Sequence, residues 1–472
     1  MHVFRWSFLG TLPLWLAACA VTPPPAQVPA LAAPQWQAPL PHQGQLGALS
    51  TWWQRLDDPL LVQLIDAAEN VSPSVASAAS RIQQARATSV AAGAALGPTL
   101  DGSVSASRGV QSGVPLATSL QAGLQTSWEI DVFGVNRIAL DAAQSRQQGA
   151  QALWHDARVS VAAEVANQYI DVRSCELVRA LTGEDAKSRR ETARLSALST
   201  RAGFTAPAQD ALARASAAEA NNRLVQQLAQ CELSLKAMVA LTGLPEADLK
   251  QKLAAAPMPA AEIALFSIAS IPAEVLAQRP DIFSAERDVA AASFDVGNAQ
   301  GQRFPKLGLS GNISAVRAYS EGVRSDLTTW SIGPLALSLP LFDGGVRRAN
   351  IVAAQARYDE AAAVYRGKVR QAVREVEEAL VNLRSTADRA ADTQVAAEGY
   401  RASYTATQAR YKAGVASLPE LEDARRTSVA ADTTVVSLQR ERLLAWVALY
   451  RAAGGGWQPA DLATTTAASN QP

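Results

Sequence analysis

PSVASAASRIQQARATSVAAGAALGPTLDGSVS, residues 73–105, lies without a gap over PDIFSAERDVAAASFDVGNAQGQRFPKLGLSGN, residues 280–312. The offset is 207, so that Pro73 falls on Pro280, Ser77 on Ser284, Pro98 on Pro305 and Leu100 on Leu307. Further along it settles at 211: Ala202-Gly203 matches Ala413-Gly414, and Ala213-Arg214 matches Ala424-Arg425. One unit is therefore written twice, as repeat 1 over 49–270 and repeat 2 over 271–457. Solenoid repeats run about 20–50 residues, so a unit of about 200 implies two-fold pseudo-symmetry inside one chain instead.

Each unit reads in the same order. An Ala-rich helix from Ser74 to Ala95 stops at Gly97-Pro98, and the apolar period then changes from helical to two. Leu100, Gly102, Val104 and Ala106 alternate with Asp101, Ser103, Ser105 and Ser107. After a loop over Gly109 to Pro115, Leu120, Ala122, Leu124, Thr126, Trp128 and Ile130 alternate with Ser, Gln, Gly and Glu. This is a hairpin of two strands of about ten residues each, spanning about 99–130. A helical hairpin follows over about 135–242, its first arm running unbroken by proline from Val135 to Arg201, or roughly 100 Å at about 1.5 Å per residue. In repeat 2 the strand hairpin covers about 306–341, with a loop at Tyr319 to Asp326 and an irregularity expected at Pro334. Its helical hairpin covers about 347–453. Short helices begin at Asp58-Pro59-Leu60 and at Pro280.

Of 472 residues, 43 are Lys or Arg and 43 are Asp or Glu, which gives no basic patch for nucleic acid. The N-terminus carries an address. His2 and Arg5 precede the apolar run Phe8 to Leu16, ending in Leu16-Ala17-Ala18-Cys19. Residues 1–18 read as an export signal. Cys19 reads either as the acylated first residue of a lipoprotein or as an incidental cysteine beside an ordinary cleavage site. Residues 19–48 form a Pro-rich tether, and 458–472 a disordered tail. Cys175 and Cys231 each lie 28 residues from Gly203. Across an antiparallel hairpin that spacing sets them at one height, as a disulfide or as two small buried thiols.

No mature segment offers 18 consecutive apolar residues, so no helical span is expected. Strands with one apolar and one small polar face fit a transmembrane barrel, the one β architecture that satisfies every backbone group in lipid. Four strands do not close, whereas three copies supply twelve. The helices place Ala at spacings of three and four, as in Ala349, Ala353 and Ala356, which suits close helix packing. Their charges (Arg189, Arg190, Glu191, Arg374, Glu375, Glu377) read as a solvated face.

Lipobox, Trp52-Trp53, Asp58-Pro59, Arg279-Pro280-Asp281-Ile282, Phe342-Asp343-Gly344-Gly345 and Gly454-Gly455-Gly456-Trp457, in duplicate-repeat order, resemble outer-membrane efflux proteins of the TolC type, NodT-like lipoprotein branch. The resemblance runs from about Leu49 to Trp457. It implies an α+β membrane protein: a homotrimeric twelve-stranded barrel, four strands per chain, continued by a long periplasmic α-helical barrel. It implies no chemistry beyond conduction, lipid on Cys19, and outer-membrane localisation. The partners implied are a periplasmic adaptor and an inner-membrane pump of the resistance-nodulation-division type. The tips Ala202, Gly203, Phe204 and Ala413, Gly414, Val415 become adaptor-docking points. Arg410, Tyr411 and Asp423 become a periplasmic gate, with Asp210 and Arg201 as the nearest substitutes in repeat 1.

Other classes fare worse. His2, His42 and His155 form no cluster, and no metal spacing, phosphate loop or nucleophile elbow is present, so neither catalytic nor metal residues are expected. A non-pore coiled-coil lipoprotein leaves the four amphipathic strands unexplained. An exit duct for secreted proteins remains an alternative to small-molecule efflux.

Overall fold

The computed structural model describes residues 21–30, 58–111, 114–256, 276 and 278–459. Cys19, Trp52, Trp53 and all but the first two residues of the expected tail lie outside that set. The elements are α1 (Pro59–Val71), α2 (Pro73–Ala94), β1 (Thr99–Gln111), β2 (Val114–Ile130), α3 (Val135–Arg201), α4 (Pro207–Thr242) and α5 (Glu246–Ala255), followed by α6 (Pro280–Gly301), β3 (Lys306–Ser320), β4 (Val323–Ser338), α7 (Val346–Lys412) and α8 (Leu418–Ala452). The duplication is visible in their lengths. α2 and α6 each have 22 residues, α3 and α7 each have 67, and α4 and α8 have 36 and 35.

Two compact units form, and each draws on both repeats. The first comprises Met1–Ala30, Ala79–Ala152 and Ile282–Lys368, and contains one antiparallel sheet in the order β1-β2-β3-β4. The central pairing, β2 with β3, joins repeat 1 to repeat 2, so neither repeat is a compact unit by itself.

The strands are longer than the sequence spacing indicates, at 13, 17, 15 and 16 residues. Both expected loops are largely strand. Ser320 pairs with Val323 around Glu321-Gly322, whose φ values of 50° and 83° make a two-residue turn matched to strand twist. At its other end β4 stops at Ser338 and not at Leu341, because Pro340 has no N–H for a ladder. The irregularity expected at Pro334 is present. Leu309 pairs with Leu335 and Gly311 with Ile332, leaving the cis-linked Gly333-Pro334 as an extra residue's worth of strand.

Register settles which residues share a face. Gly102, Leu124, Ile313 and Trp330 form one row, and Ser103, Gly123, Ser314 and Thr329 form the next on the opposite face. The apolar face is uncovered within the chain, with Val104 85%, Trp330 72% and Ile332 84% exposed. An apolar sheet of this extent has no place in water.

In the same unit, residues 21–30 run extended over α6 and α7. Ser293 donates to the Pro24 carbonyl, Tyr358 donates to the Pro25 carbonyl at 2.8 Å, and Val28 packs on the Val289, Val296 and Ala354 cluster. The expected tether is thus, over this stretch, a fastened strap.

The second unit comprises Leu31–Ala78, Leu153–Asp281 and Val369–Pro472. Its main core joins Leu64 of α1, Val165, Ala166 and Tyr169 of α3, Met238 of α4, Leu249 of α5, Leu380 of α7 and Leu449 of α8. Tyr169 and Arg173 are paired within it. Tyr169 donates to Asp58 at 2.5 Å, and Arg173 donates to the carbonyls of Leu253 and Ala256 at 2.9 and 2.6 Å, which pins the end of α5. Burial, followed by the Asp58 carboxylate, drives the Tyr169 hydroxyl far above its ordinary pKa, so it stays a donor.

Candidate gate and docking tips

Both helical hairpins of the second unit end in the same turn. Phe204 N–H donates to Ser199 O at 2.9 Å and Gly203 N–H to Thr200 O at 3.0 Å. Val415 N–H donates to Arg410 O at 2.9 Å and Gly414 N–H to Tyr411 O at 3.0 Å. This 6→1 and 5→2 pattern requires a left-handed residue, and Gly203 and Gly414 supply it at φ 79° and 77°. The apolar residue after each glycine faces outward, with Phe204 84% and Val415 65% exposed. Ala202 and Ala413 are exposed beside them.

The expected gate residues lie close to the second tip but are not joined to one another within the chain. Arg410 Nη2 donates to the Val415 carbonyl at 3.4 Å, whereas Asp423 pairs with Arg426, three residues on. Tyr411 is half-buried against the small cluster Ala193, Ala213, Leu418 and Leu421. In repeat 1, Asp210 pairs with Arg214 at 3.1 Å, and Arg201 is exposed on the last turn of α3. The helix geometry explains this. A carboxylate meets an arginine three or four residues on at no cost in backbone position, while Arg410 and Asp423 stand on different arms of a tight turn.

Above the tips, Arg189, which the sequence reading places on a solvated face, belongs to a buried cluster. Arg189 is 4% and Arg425 2% exposed. Arg189 Nε donates to Asp185 at 2.9 Å, and its Nη1 reaches Ser216 Oγ at 2.8 Å and Glu422 Oε2 at 2.9 Å. Arg425 donates to the other Glu422 oxygen at 2.6 Å, to Thr192 Oγ1 at 3.3 Å and to the Tyr404 hydroxyl at 3.3 Å. Two arginines and two carboxylates balance, and α3, α4, α7 and α8 each contribute a group. Buried charge is tolerated when paired and hydrogen-bonded in this way. Glu375 also leaves the solvated face. It accepts from Arg279 at 2.8 Å, and that same guanidinium donates to the Ala452 carbonyl. Charge counting alone conceals the cluster, because its members come from four helices far apart in sequence.

Cys175 and Cys231 are bonded, with Cα atoms 5.5 Å apart, which cross-links α3 to α4.

Comparison with known proteins gives these features a setting. The outer membrane efflux protein family model matches twice, over residues 64–244 and 271–455, one match per repeat. The pyoverdine export outer membrane protein OpmQ of Pseudomonas putida is 32% identical over 97% of this chain and 99% of its own. Nodulation protein T of Rhizobium leguminosarum bv. trifolii is 29% identical over 94% and 96%. Among solved structures, the Campylobacter jejuni CmeC outer membrane channel superposes with a TM-score of 0.85 at 23% identity, over 96% of this chain and 98% of that one. The outer-membrane channel OprN superposes at 0.81 with 27% identity, over 93% and 100%.

The sheet is therefore one third of a twelve-stranded barrel in a homotrimer, continued by a helical tunnel. The assembled trimer is an exit duct in the outer membrane and not an enzyme. With a model match in each repeat and relatives aligned over almost its whole length, this chain belongs to the outer membrane efflux protein family.

Proposed function

We propose that this duct is the gated outer-membrane component of a tripartite pump of the resistance-nodulation-division type, carrying small molecules, and that it is anchored by lipid on Cys19. The observation that supports the duct most directly is the sheet itself, with one apolar face uncovered, one small polar face, and two unpaired edges that only further copies close. A small-molecule cargo follows the roles of relatives in pyoverdine export and toluene efflux. An exit duct for secreted proteins is the competing reading. No structural observation favours it.

Docking of the periplasmic adaptor at the two tips is supported by exposed Phe204 and Val415 on rigid, twice-repeated turns. Gating is assigned to Arg410, Tyr411 and Asp423. Arg410 and Asp423 are exposed and held only by local contacts among the described residues, so a ring contact between copies is open to both. Three weak contacts around a narrow ring set an opening threshold that one exposed pair, worth under about 1 kcal/mol, does not. Lipid on Cys19 fits the strap, which begins at Val21 beside Gly297 at the strand end of α6.

The test is conductance of the purified trimer in planar bilayers. Arg410→Ala with Asp423→Ala is expected to raise open probability severalfold. Wild-type conductance in that double variant removes the gate assignment, and no conductance from proven trimers in either form removes the duct. Acyl labelling that persists in Cys19→Ser defeats the anchor.

A further inference from the structure

The apolar face of the sheet ends in charge. Toward the β1–β2 and β3–β4 turns, Ala106, Leu120, Arg317 and Asp326 form one row across the strands, and Arg108, Thr118, Tyr319 and Arg324 form the next row on the same face. These positions share strand parity with Leu124, Ile313 and Trp330, so the arginines stand on the lipid side of the barrel and not in its lumen. Asp326 gathers two of them. It accepts from Arg317 Nε at 2.7 Å and from Arg324 Nε at 3.0 Å. Arg108 is exposed one strand beyond β2.

Height along the barrel decides what meets this patch. From Leu307, in the lowest apolar row, to Arg317 is ten residues, or about 33 Å along a strand and about 25 Å along the barrel axis at the usual tilt of about 40°. That is one apolar band. An arginine on the lipid face costs about 2–4 kcal/mol at mid-bilayer and near nothing at the interface, so the membrane's outer surface lies at the Arg317 row. At that level the outer leaflet of an outer membrane presents the phosphate groups of its glycolipid.

We propose that Arg108, Arg317 and Arg324, with Tyr319 beside them, form a binding strip for the phosphates of that glycolipid. Three guanidinium groups face Asp326 and, in the turn just beyond the second row, Glu321, which leaves a net positive charge per chain and several N–H donors unspent. Guanidinium forks match phosphate oxygens in charge and in geometry. Asp326 holds two forks side by side without neutralising both. Barrel closure seats β1 of one copy next to β4 of another, so the edges carrying Arg108 and Arg324 meet at every seam and the strip becomes a belt. The aromatic ring of Tyr319 at the same level suits the boundary between acyl chain and headgroup.

The experiment uses the full-length trimer in detergent, with native mass spectrometry counting bound lipid A that carries both phosphates, against lipid A from which they have been removed. The phosphorylated lipid is expected to bind about tenfold more tightly, and replacing all three arginines by Gln is expected to erase the difference. Arg108 forms no ion pair among the described residues, so Arg108→Gln is expected to lower binding alone, which separates lost contacts from a disturbed barrel. Equal binding of the two lipids by wild type overturns the proposal. So does undiminished preference for the phosphorylated lipid in either variant. Trimer retention and conductance, read on the same samples, report on the duct independently.

Discussion

The two helical hairpins have the same backbone and different fasteners. Their long arms are both 67 residues, their turns carry the same hydrogen bonds, and their glycines differ in φ by two degrees. Yet the first is cross-linked by Cys175–Cys231, where the second has Thr386 and Arg442. The second opens its return helix with a capping box, Ser417 and Glu420, where the first has Ala206 with no side-chain cap. Arg425 is buried against Glu422, while its counterpart Arg214 is exposed on Asp210. Helix period, small-residue packing and the left-handed glycine fix the hairpin; the polar and covalent fasteners are interchangeable additions, each with its own strength.

The largest break in that comparison is expected at Glu422. Glu422→Ala leaves two buried guanidinium groups short of a carboxylate, a loss of about 3–5 kcal/mol, while Asp210→Ala removes a pair whose arginine is largely exposed, worth under about 1 kcal/mol. Thermal unfolding of the trimer measures both, and equal shifts would show that the buried cluster is not a fastener at all. Next comes the cross-link. It closes a loop with a sequence separation of 56, and Cys231→Ser is expected to cost about 2–4 kcal/mol. A reductant should lower the melting temperature of wild type and leave that of the variant unmoved. The same drop in both would place the effect elsewhere.

How much of this was legible beforehand follows from what each signal encodes. The repeat, the element order and the bulge at Pro334 are written in period and in proline, and they hold. Strand ends failed where polar residues near the turns, such as Arg317 and Arg324, broke the hydrophobic pattern although their alternation continues; barrel strands outrun the apolar band. Arg189 was misplaced because a charge on a helix reads the same whether it meets water or Glu422. Only the fold brings residues 189 and 422 within 2.9 Å. The Arg410–Asp423 pair could be named from resemblance. Its partners in the trimer are a property of the ring and cannot be read from one chain's spacing.

A smaller effect is expected at the second tip. Ser417→Ala removes the cap of α8 and should cost about 1 kcal/mol, whereas Ala206→Ser in the first hairpin should gain a comparable amount if the missing cap is a real asymmetry. Backbone and side-chain hydrogen bonds from Ser417 hold the Glu420 carboxyl below its ordinary range, with Arg410 adding to the effect. A lowered carboxyl contributes above about pH 4.3 and ceases to as pH falls through its folded-state value. Acid should therefore loosen the second tip, by hydrogen exchange at Val415 and Leu421, before the first. Simultaneous loosening would mean that the capping box does not distinguish them.

The smallest effect is also the most direct test of equivalence. Arg401 of the second hairpin pairs with Asp432 at 2.5 Å, and the residues 211 earlier, Arg190 and Asn221, stand in the same relation at 3.5 Å. The first hairpin thus has the geometry of the ion pair without its charge. Asn221→Asp is expected to create it, giving a coupling of about 0.5 kcal/mol in a double-mutant cycle with Arg190→Ala, where the native Asn221 gives nearly none. High salt should abolish the coupling, because the Arg401 arm of the model pair is itself well exposed to solvent. A coupling already that large with Asn221, or one indifferent to salt, would mean that the two hairpins are not interchangeable at this height, and that the shared backbone positions their side chains differently.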